Sequence, residues 1–311
     1  MKKLKIISIV VPVYDEESNI KYFYNSLKKV ISNKENYEIL FINDGSSDNT
    51  LNEIKKIGKK DKRVKFINFS RNFGKESALT AGIEFANGDC LIPIDADLQD
   101  PPHLINKLIE NWKKGYDVVL AKRINRVSDS YLKRVTAYIF YKFFNKLSET
   151  QIPENVGDFR LIDRKVIDAL KKLPETNRFM KGLFAWIGFN TTVIEYERPA
   201  RKKGLTKFNA FSLLKLALTG LTSFSNAPLR IWAYLGIFFS VSSFLYAFYV
   251  LFKTIIYGID TPGYASIIIV ILFMGGLQLL GIGIIGEYIG KTYSESKRRP
   301  PFIISSKSEN L

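Results

Sequence analysis

Apolar and polar positions follow a strand-and-helix pattern from residue 6 to residue 121. Short apolar or β-branched runs predict buried strands at Ile6–Val13, Glu38–Ile42, Val64–Phe69, Cys90–Ile94 and Val118–Ala121. The stretches between them carry apolar residues at helical spacing and predict helices near Ser18–Ile31, Asp48–Lys59, Lys75–Ala86 and Pro102–Lys114. Continuous apolar strands separated by helices are typical of a mainly parallel sheet covered on both faces. The sequence therefore predicts an α/β fold.

The pattern changes near the C-terminus. Ile231–Phe252 and Tyr264–Ile285 are apolar runs without a charged residue, and the short segment Lys253–Gly263 connects them. Each run reaches the roughly 20 residues that a membrane-spanning helix needs. We therefore expect a transmembrane hairpin; the alternative is a helical hairpin buried in a soluble core.

Charges beside the two runs predict the orientation of the hairpin. Arg230 precedes the first run and a basic group follows the second, whereas the connection carries only Lys253 and Asp260. The following group is Lys291, Lys297, Arg298 and Arg299. Because basic residues collect on the cytoplasmic side, the sequence predicts a multi-pass protein of the plasma (inner) membrane with its large N-terminal domain and its C-terminus on the cytoplasmic side.

Two further segments predict helices at the membrane interface. Tyr131–Leu147 has apolar residues at helical spacing with lysine and arginine between them, and Ala210–Phe224 is similar with Lys215 alone as a charge. The first segment also fits a helix packed on the domain core. We expect a large cytoplasmic domain at 1–208, an interfacial helix at 209–229, the hairpin at 230–290 and a cytoplasmic tail at 291–311, of which Pro300–Leu311 should be mobile.

The amino-acid composition favours some kinds of partner and site over others. The 311 residues include 46 Lys or Arg and 30 Asp or Glu, a formal charge of +16 that favours an anionic partner. The single cysteine, Cys90, lies in a predicted strand, and the single histidine, His103, lies at the start of a predicted helix. These counts exclude a disulfide within the chain and argue against a structural zinc site or a histidine-based triad.

Polar clusters follow three of the predicted strands, at Pro12–Glu17, Asn43–Ser46 and Asp95–Asp97. Ligands of parallel α/β sheets bind at the carboxyl ends of the strands. Asp95 and Asp97, one residue apart, have the oxygen ligands that Mg²⁺ or Mn²⁺ takes together with phosphate oxygens. The sequence therefore predicts a metal–diphosphate site; the alternative is a solvated acidic turn before a helix.

Gly281–Gly286 matches the dinucleotide pattern G-x-G-x-x-G, but it lies inside a predicted membrane span. A dinucleotide site needs a strand before the glycines and a helix after them. We interpret these glycines, with Gly286 and Gly290 four residues apart, as sites of close helix packing.

Five motifs together resemble the family 2 GT-A glycosyltransferases, and within them the polyprenyl-phosphate glycosyltransferases of the bactoprenol glucosyltransferase and dolichyl-phosphate mannose synthase type. The motifs are Ile9–Glu17, Asn43–Asp48, Arg71–Lys75, Asp95–Pro102 and Gly157–Leu161. The likeness covers nearly the whole chain. It implies a Rossmann-like GT-A domain, followed by interfacial helices and a C-terminal transmembrane hairpin.

The resemblance implies a role for each matching position. The nucleoside-diphosphate sugar would be bound by Pro12, Tyr14, Glu16, Asp44, Ser46, Lys75, Asp95 and Ala96. The Mg²⁺ or Mn²⁺ ion would be bound by Asp95, Asp97 and Gln99, with Asp97 as the main ligand. Asp158 would lie near the acceptor, either as a general base or only to orient it.

The acceptor phosphate would be bound by Arg123, Arg126, Arg201 and Lys207. Arginine suits bidentate phosphate binding. This sequence departs mildly from the family pattern, with Asp15 where Asn is more common, Ala121-Lys122-Arg123 where Gly-Ser-Arg is common, and Thr206 in place of Ser.

The implied reaction is transfer of one sugar, with inversion, from a nucleoside diphosphate to polyprenyl phosphate. Glucose from a UDP-sugar is expected, and GDP-mannose or a modified sugar is the alternative. Membrane lipids are the other expected partners, and a homo-oligomer stays open. A processive polysaccharide synthase would carry a Gln-x-x-Arg-Trp motif, which this sequence lacks. A non-catalytic scaffold or flippase component stays open, whereas the spread of basic residues beside apolar segments argues against nucleic acid.

Overall fold

The computed structural model describes residues 6–31, 36–124, 150–176, 178–197, 222, 225–258, 263–309 and 311. The chain forms two compact units. The first comprises residues 1–146, 150–220 and 299–311, and the second comprises residues 147–149 and 221–298. The expected interfacial segment Tyr131–Leu147 lies outside the described residues, as do Arg126, Arg201 and Lys207. Of the interfacial helix expected at 209–229, the structure describes residues 222 and 225–229.

The first unit is built on a sheet whose described strands follow the order β7-β5-β6-β4-β1-β2-β3-β8. These strands are β1 Ile7–Val13, β2 Tyr37–Asn43, β3 Val64–Phe69, β4 Cys90–Pro93, β5 Val118–Arg123, β6 Val156–Asp163, β7 Thr191–Tyr196 and β8 Ile304–Lys307. Pairing is parallel between β1 and β2, β1 and β4, β2 and β3, and β5 and β7. It is antiparallel where β6 meets β4 and β5, and where β8 meets β3.

Six described helices belong to this unit. They are α1 Glu17–Val30, α2 Thr50–Lys60, α3 Lys75–Phe85, α4 Leu104–Lys113, α5 Arg164–Lys171 and α6 Met180–Trp186. The buried core combines strand residues such as Ile9 and Phe41 with helix residues such as Phe23 and Leu108. The strands and helices predicted up to residue 121 are all present, and the expected α/β architecture is confirmed.

Helix α3 approaches β1 closely because Gly82 has no side chain. A Cβ atom at Gly82 would lie 2.2 Å from Val10 Cγ1, far inside van der Waals contact. Val10 is fully buried, so neither group has room to move away. The contact therefore fixes α3, and with it Lys75 in its first turn, against the central strand.

The last residues of the chain complete the sheet. In β8, Lys307 pairs with Ile67 and Ser306 pairs with Asn68 of β3. Just before the strand, the ring of Phe302 stacks on Phe69, with centroids 5.0 Å apart. The expectation of a mobile tail was therefore wrong, because these residues have a hydrogen-bonding edge and an aromatic surface to pack against.

The second unit contains α7 Ala227–Tyr257 and α8 Tyr264–Ser296. Of the described helices, these two are long and apolar enough to cross a membrane. Phe239 and Phe273 make an edge-to-face contact between them at 6.0 Å. The helical pair that the apolar runs predicted is therefore present.

Close packing between α7 and α8 occurs at Gly281. A Cβ atom there would overlap the Trp232 indole, so the glycine makes room for the ring. At Gly286 and Gly290, by contrast, a Cβ atom would have no described atom of another residue within 4 Å beyond its own helix backbone. The expectation of close packing was therefore wrong for those two glycines within this helical pair.

Candidate functional site

The polar clusters meet at one edge of the sheet. Val13 pairs with Asn43 at the ends of β1 and β2, and β4 ends at Pro93 beside β1. Because β6 runs antiparallel to β4 and β5, its first residues lie at this same edge, where Val156 pairs with Lys122. Asp158 lies near the start of β6, and the antiparallel direction of this strand therefore brings it to the site.

The loop after β1 is tied to the loop after β2. Asp15 has a positive φ of 50°, a conformation that Asp and Asn tolerate better than most residues. Its backbone N–H donates to Ser46 Oγ at 2.9 Å, and its Oδ1 accepts from the backbone N–H of Ser47 at 2.8 Å. An aspartate can therefore adopt this backbone conformation and accept this hydrogen bond, as an asparagine would.

The other predicted donor-site residues of this loop lie between the end of β1 and the start of α1. Pro12 and Tyr14 are half-buried at the end of β1 and just beyond it. The backbone N–H of Glu16 donates to Thr50 Oγ1 at 2.9 Å, which joins the first turn of α1 to α2. The structure brings these residues to the expected edge, and their contacts with a nucleotide stay a prediction.

Asp44 holds the loop that leads into α3. Its two carboxylate oxygens accept backbone N–H groups of Phe73 and Gly74 at 2.7 and 2.9 Å. Burial raises the pKa of Asp44, and these two hydrogen bonds and Arg71 act in the opposite direction. A structural role for Asp44 is thus visible, in addition to the predicted contact with the base or ribose.

Lys75 lies between two carboxylates. Its Nζ atom is 2.7 Å from Asp95 Oδ1 and 2.8 Å from Asp158 Oδ2. Burial would lower the pKa of Lys75, but Asp158 and Asp95 raise it above its usual value. A permanent positive charge therefore joins the segment after β4 to the start of β6.

Asp158 is held ionised. Burial would raise its pKa, but Lys75, Lys181 and Arg160 lower it well below the usual range. A carboxylate with so low a pKa is a weak proton acceptor near neutral pH. Of the two roles left open for Asp158, its surroundings favour orientation over proton transfer.

The Asp95–Gln99 segment has the expected donors for a cation. Asp97 Oδ1 accepts the backbone N–H of Gln99 at 3.1 Å, across a tight turn in which Leu98 has a positive φ of 58°. Ala96, between the two aspartates, is buried. Within the described part of the chain, no group of three or more His, Cys, Asp or Glu residues could hold a metal. Two carboxylates completed by diphosphate oxygens match what Mg²⁺ takes in nucleotide sites, so these residues fit such an ion.

Glu76 was not predicted from the sequence. Its Oε2 accepts the backbone N–H of Met180 at 3.0 Å and so connects α3 to α6. Burial, followed by the charge of Asp158, raises the pKa of Glu76 to about 7. No sequence signal distinguishes this residue from an ordinary acidic residue in the first turn of a helix.

Arg123, at the end of β5, is the predicted acceptor-phosphate residue that the structure describes. Its Nε donates to Tyr196 Oη at 3.3 Å, and its Nη2 lies 3.9 Å from Asp100 Oδ1. Tyr196 in turn donates to Asp100 Oδ1. Asp100 belongs to a motif identified above but had no predicted role, and nothing in the sequence singled out Tyr196.

Two families match the chain. Residues 8–171 match Glycosyl transferase family 2, and residues 227–292 match the family described as the GtrB C-terminal hairpin. The first match includes every described site residue except Tyr196 and those of α6. The second covers α7 and most of α8, and it supports association of these helices with a membrane.

Full-length relatives are about half identical to the chain. The bactoprenol glucosyl transferase of Shigella phage SfV is 50% identical over 304 residues, which is 97% of this chain and 99% of that protein. An uncharacterized glycosyltransferase of Synechocystis is 49% identical over 300 residues, which is 96% of this chain and 94% of that protein.

Among solved structures, glucosyl-3-phosphoglycerate synthase from Mycobacterium tuberculosis, in complex with Mn²⁺, UDP-glucose and phosphoglyceric acid, is 17% identical. The match covers 70% of this chain and 79% of that one, with a TM-score of 0.49.

Proposed function

Since the chain belongs to glycosyl transferase family 2 and is a glycosyltransferase, we propose that it transfers glucose from UDP-glucose to polyprenyl phosphate. The observation that carries this proposal is full-length likeness, at about half identity, to proteins named bactoprenol glucosyl transferase. The family match and the mixed sheet also confirm the expected GT-A class.

The proposed reaction forms one bond and breaks one. A phosphate oxygen of the acceptor attacks C1 of the sugar, and the bond from C1 to the diphosphate breaks with inversion. The electron pair leaves with the nucleoside diphosphate, and the product is a polyprenyl-phosphate sugar. The acceptor phosphate is already anionic near neutral pH, which agrees with the low proton affinity of Asp158.

We assign the donor diphosphate to the cluster around Asp95 and Lys75. Asp95 and Asp97 would hold Mg²⁺ or Mn²⁺, with Gln99 beside them. When bound, such an ion stabilises the negative charge that develops on the leaving diphosphate. Lys75 supplies a fixed positive charge within 3 Å of Asp95 and Asp158, where donor and acceptor phosphates would meet.

We assign the acceptor phosphate to Arg123, together with Arg126, Arg201 and Lys207. Arg123 lies at the same sheet edge as Asp95. Burial would lower the pKa of its guanidinium, but Asp100 and, to a smaller extent, Asp95 raise it above its usual value. A planar guanidinium can bind two oxygens of one phosphate. The hairpin would keep the enzyme in the plasma membrane, with the catalytic unit on the cytoplasmic side where nucleotide sugars are made.

A transfer assay on the full chain in detergent tests this proposal. The mixture contains undecaprenyl phosphate, Mg²⁺ and radiolabelled UDP-glucose, with GDP-mannose and other UDP-sugars in parallel. We expect label from UDP-glucose to enter the organic phase. Label from GDP-mannose alone would overturn the choice of donor, and nucleotide binding without transfer from any donor would favour a scaffold.

Replacement of one carboxylate sharpens the test. Asp97→Asn should lower turnover on the order of 100-fold or more, because an amide cannot replace the charge that binds the cation. Asp168→Asn, at an exposed position on α5, is the matched control and should leave turnover unchanged. Equal activity of the two variants would contradict the role of Asp97.

A further inference from the structure

Three side chains from three separate segments meet around Arg123. Arg123 ends β5, Tyr196 ends the neighbouring strand β7, and Asp100 belongs to the segment that follows β4. The strands β5 and β7 are parallel, and Arg123 and Tyr196 are register partners. The pairing of the two strands therefore sets the tyrosine beside the arginine.

The contacts among the three side chains form a chain. Tyr196 Oη donates to Asp100 and accepts from Arg123 Nε at 3.3 Å. Asp100 Oδ1 lies 3.9 Å from Arg123 Nη2. A hydroxyl that both donates and accepts fixes the arginine through Nε, so the terminal nitrogens keep a defined direction.

Burial makes this arrangement rigid. Asp100 is 3% exposed and Tyr196 is 5% exposed, and the Tyr196 ring meets buried Phe159 edge to face at 6.4 Å. A buried carboxylate is costly unless charged or hydrogen-bonding groups compensate it. Burial, followed by the charge of Asp100, raises the pKa of Tyr196 to about 12, so its hydroxyl keeps the proton that it donates.

The Arg123 guanidinium also approaches the start of β6 closely. A Cβ atom at Gly157 would lie 3.0 Å from Arg123 Nη2, tighter than ordinary contact. The side chain of Arg123 is 20% exposed, so part of it stays in contact with solvent. Because Gly157 has no side chain, the guanidinium has room beside the backbone of β6.

We propose that Asp100 and Tyr196 are positioning residues that hold the Arg123 guanidinium in the direction needed to bind the acceptor phosphate. This inference rests on the proposed transfer to polyprenyl phosphate. Asp100 directly follows the Asp95–Gln99 segment, which we assign to the donor diphosphate. Its buried carboxylate therefore connects that segment to Arg123, which we assign to the acceptor phosphate. A guanidinium fixed before binding loses less conformational freedom when the phosphate arrives.

The direct test is Tyr196→Phe in the full chain, which removes one hydroxyl and keeps the ring. We expect the KM for undecaprenyl phosphate to rise about five-fold, the loss of one hydrogen bond that orients the binding group. The KM for UDP-glucose should stay unchanged, because the donor-side residues keep their contacts. A merely structural role would lower the thermal midpoint without separating the two KM values.

A second tyrosine provides a matched control. Tyr24 Oη donates to Asp61 at 2.8 Å, and Arg63 binds the same carboxylate, so this cluster has the same chemistry at a different place. Tyr24→Phe should change stability as Tyr196→Phe does, but it should leave both KM values alone. An equal KM for undecaprenyl phosphate in the two variants would overturn the proposal.

Two further measurements keep the test decisive. Gly157→Ala leaves Tyr196 and Asp100 intact but forces the guanidinium to shift by a few tenths of an ångström, and it should also raise the KM for undecaprenyl phosphate. In an Arg123→Ala background, Tyr196→Phe should have no further effect, since the two residues act as one unit. Additive effects, or an unchanged KM in Gly157→Ala, would contradict the proposal.

Wild-type activity separates the two proposals. If neither the wild-type chain nor Tyr24→Phe transfers sugar to undecaprenyl phosphate, both proposals fail. With transfer by the wild-type chain but no selective change in Tyr196→Phe or Gly157→Ala, the positioning role alone fails.

Discussion

At the scale of single residues, the site is organised by charges that neutralise one another. Lys75 bridges Asp95 and Asp158, and Arg123 lies next to Asp100. Each cation thereby connects segments far apart in the chain. Charged groups held in this way are ionised before substrate arrives, and they need little rearrangement as charge develops during transfer.

Glu76 differs from these groups because its proton is retained close to neutral pH. The folded protein holds this proton up to about pH 7, whereas the usual pKa is 4.5. Stability should therefore fall as the pH rises between these values, because the folded state binds more protons there. Glu76→Gln should remove this dependence and unfold at a higher temperature than wild type at pH 8, which corresponds to a gain on the order of 3 kcal/mol in the free energy of unfolding.

Thermal unfolding at pH 5, 6, 7 and 8 measures the effect. Glutamine keeps a side-chain oxygen that can accept the Met180 N–H, so the connection to α6 is preserved. Glu84→Gln, at an exposed position on the same helix, should follow the wild-type curve. Parallel curves for wild type and Glu76→Gln would refute the assignment.

At the scale of elements, sequence patterns located the strands that are continuously apolar. β1, β2 and β4 are buried along almost their whole length, so their composition reveals them. β7 alternates exposed and partly buried residues and contains Thr191, Thr192 and Glu195, and β8 is the short segment Ile304–Lys307 with two serines. Neither strand is a continuously apolar run, and the place of each in the sheet is set by pairing with a strand distant in the sequence.

The candidate site shows the same division. Asp95, Asp97 and Lys75 lie in motifs that can be recognised locally. Tyr196 and Asp100, which are in contact, are separated by 96 positions in the sequence. Met180 and Glu76 are separated by 104 positions. Only the fold reveals such pairs, since the side chains involved have no spacing pattern of their own.

The packing of the C-terminal segment on β3 predicts a measurable contribution to stability. Phe302→Ala removes the ring that stacks on Phe69 and should lower the free energy of unfolding by about 1–3 kcal/mol. Ile303→Ala is the matched control, because the neighbouring side chain is 54% exposed and should contribute little. Thermal unfolding compares the two, and equal midpoints would contradict a stabilising role for the stacked ring.

At the scale of the whole molecule, the charge of +16 combines with two exposed apolar helices. Basic residues lie in the first turn of α7, at Arg230, and around the end of α8, at Lys291, Lys297, Arg298 and Arg299. Anionic lipid head groups attract such residues. The composition therefore agrees with a substrate that is itself a membrane phosphate.

The proposed orientation can be tested with single cysteines. The chain has one cysteine, Cys90, which is fully buried and should give little background labelling. Glu309→Cys places a thiol in the exposed tail, and Tyr257→Cys places one at the end of α7. In intact cells, an impermeant maleimide should label only Tyr257→Cys, and in inverted vesicles it should label only Glu309→Cys. Labelling of both from the same side would refute the orientation.

Pairing between β8 and β3 also sets an order for biosynthesis. Phe66 and Ser308, which exchange hydrogen bonds, are 242 residues apart, so the ribosome needs roughly 10–50 s to make the second after the first. During that time the outer edge of β3 has no β8 partner, and an unpaired edge invites association with other chains. Both hydrophobic helices precede β8 in the chain, so their delivery to the translocation machinery comes before the sheet can be finished. Premature termination after the hairpin would therefore yield a chain that reaches the membrane with an incomplete sheet, whose unpaired β3 edge could associate with other chains.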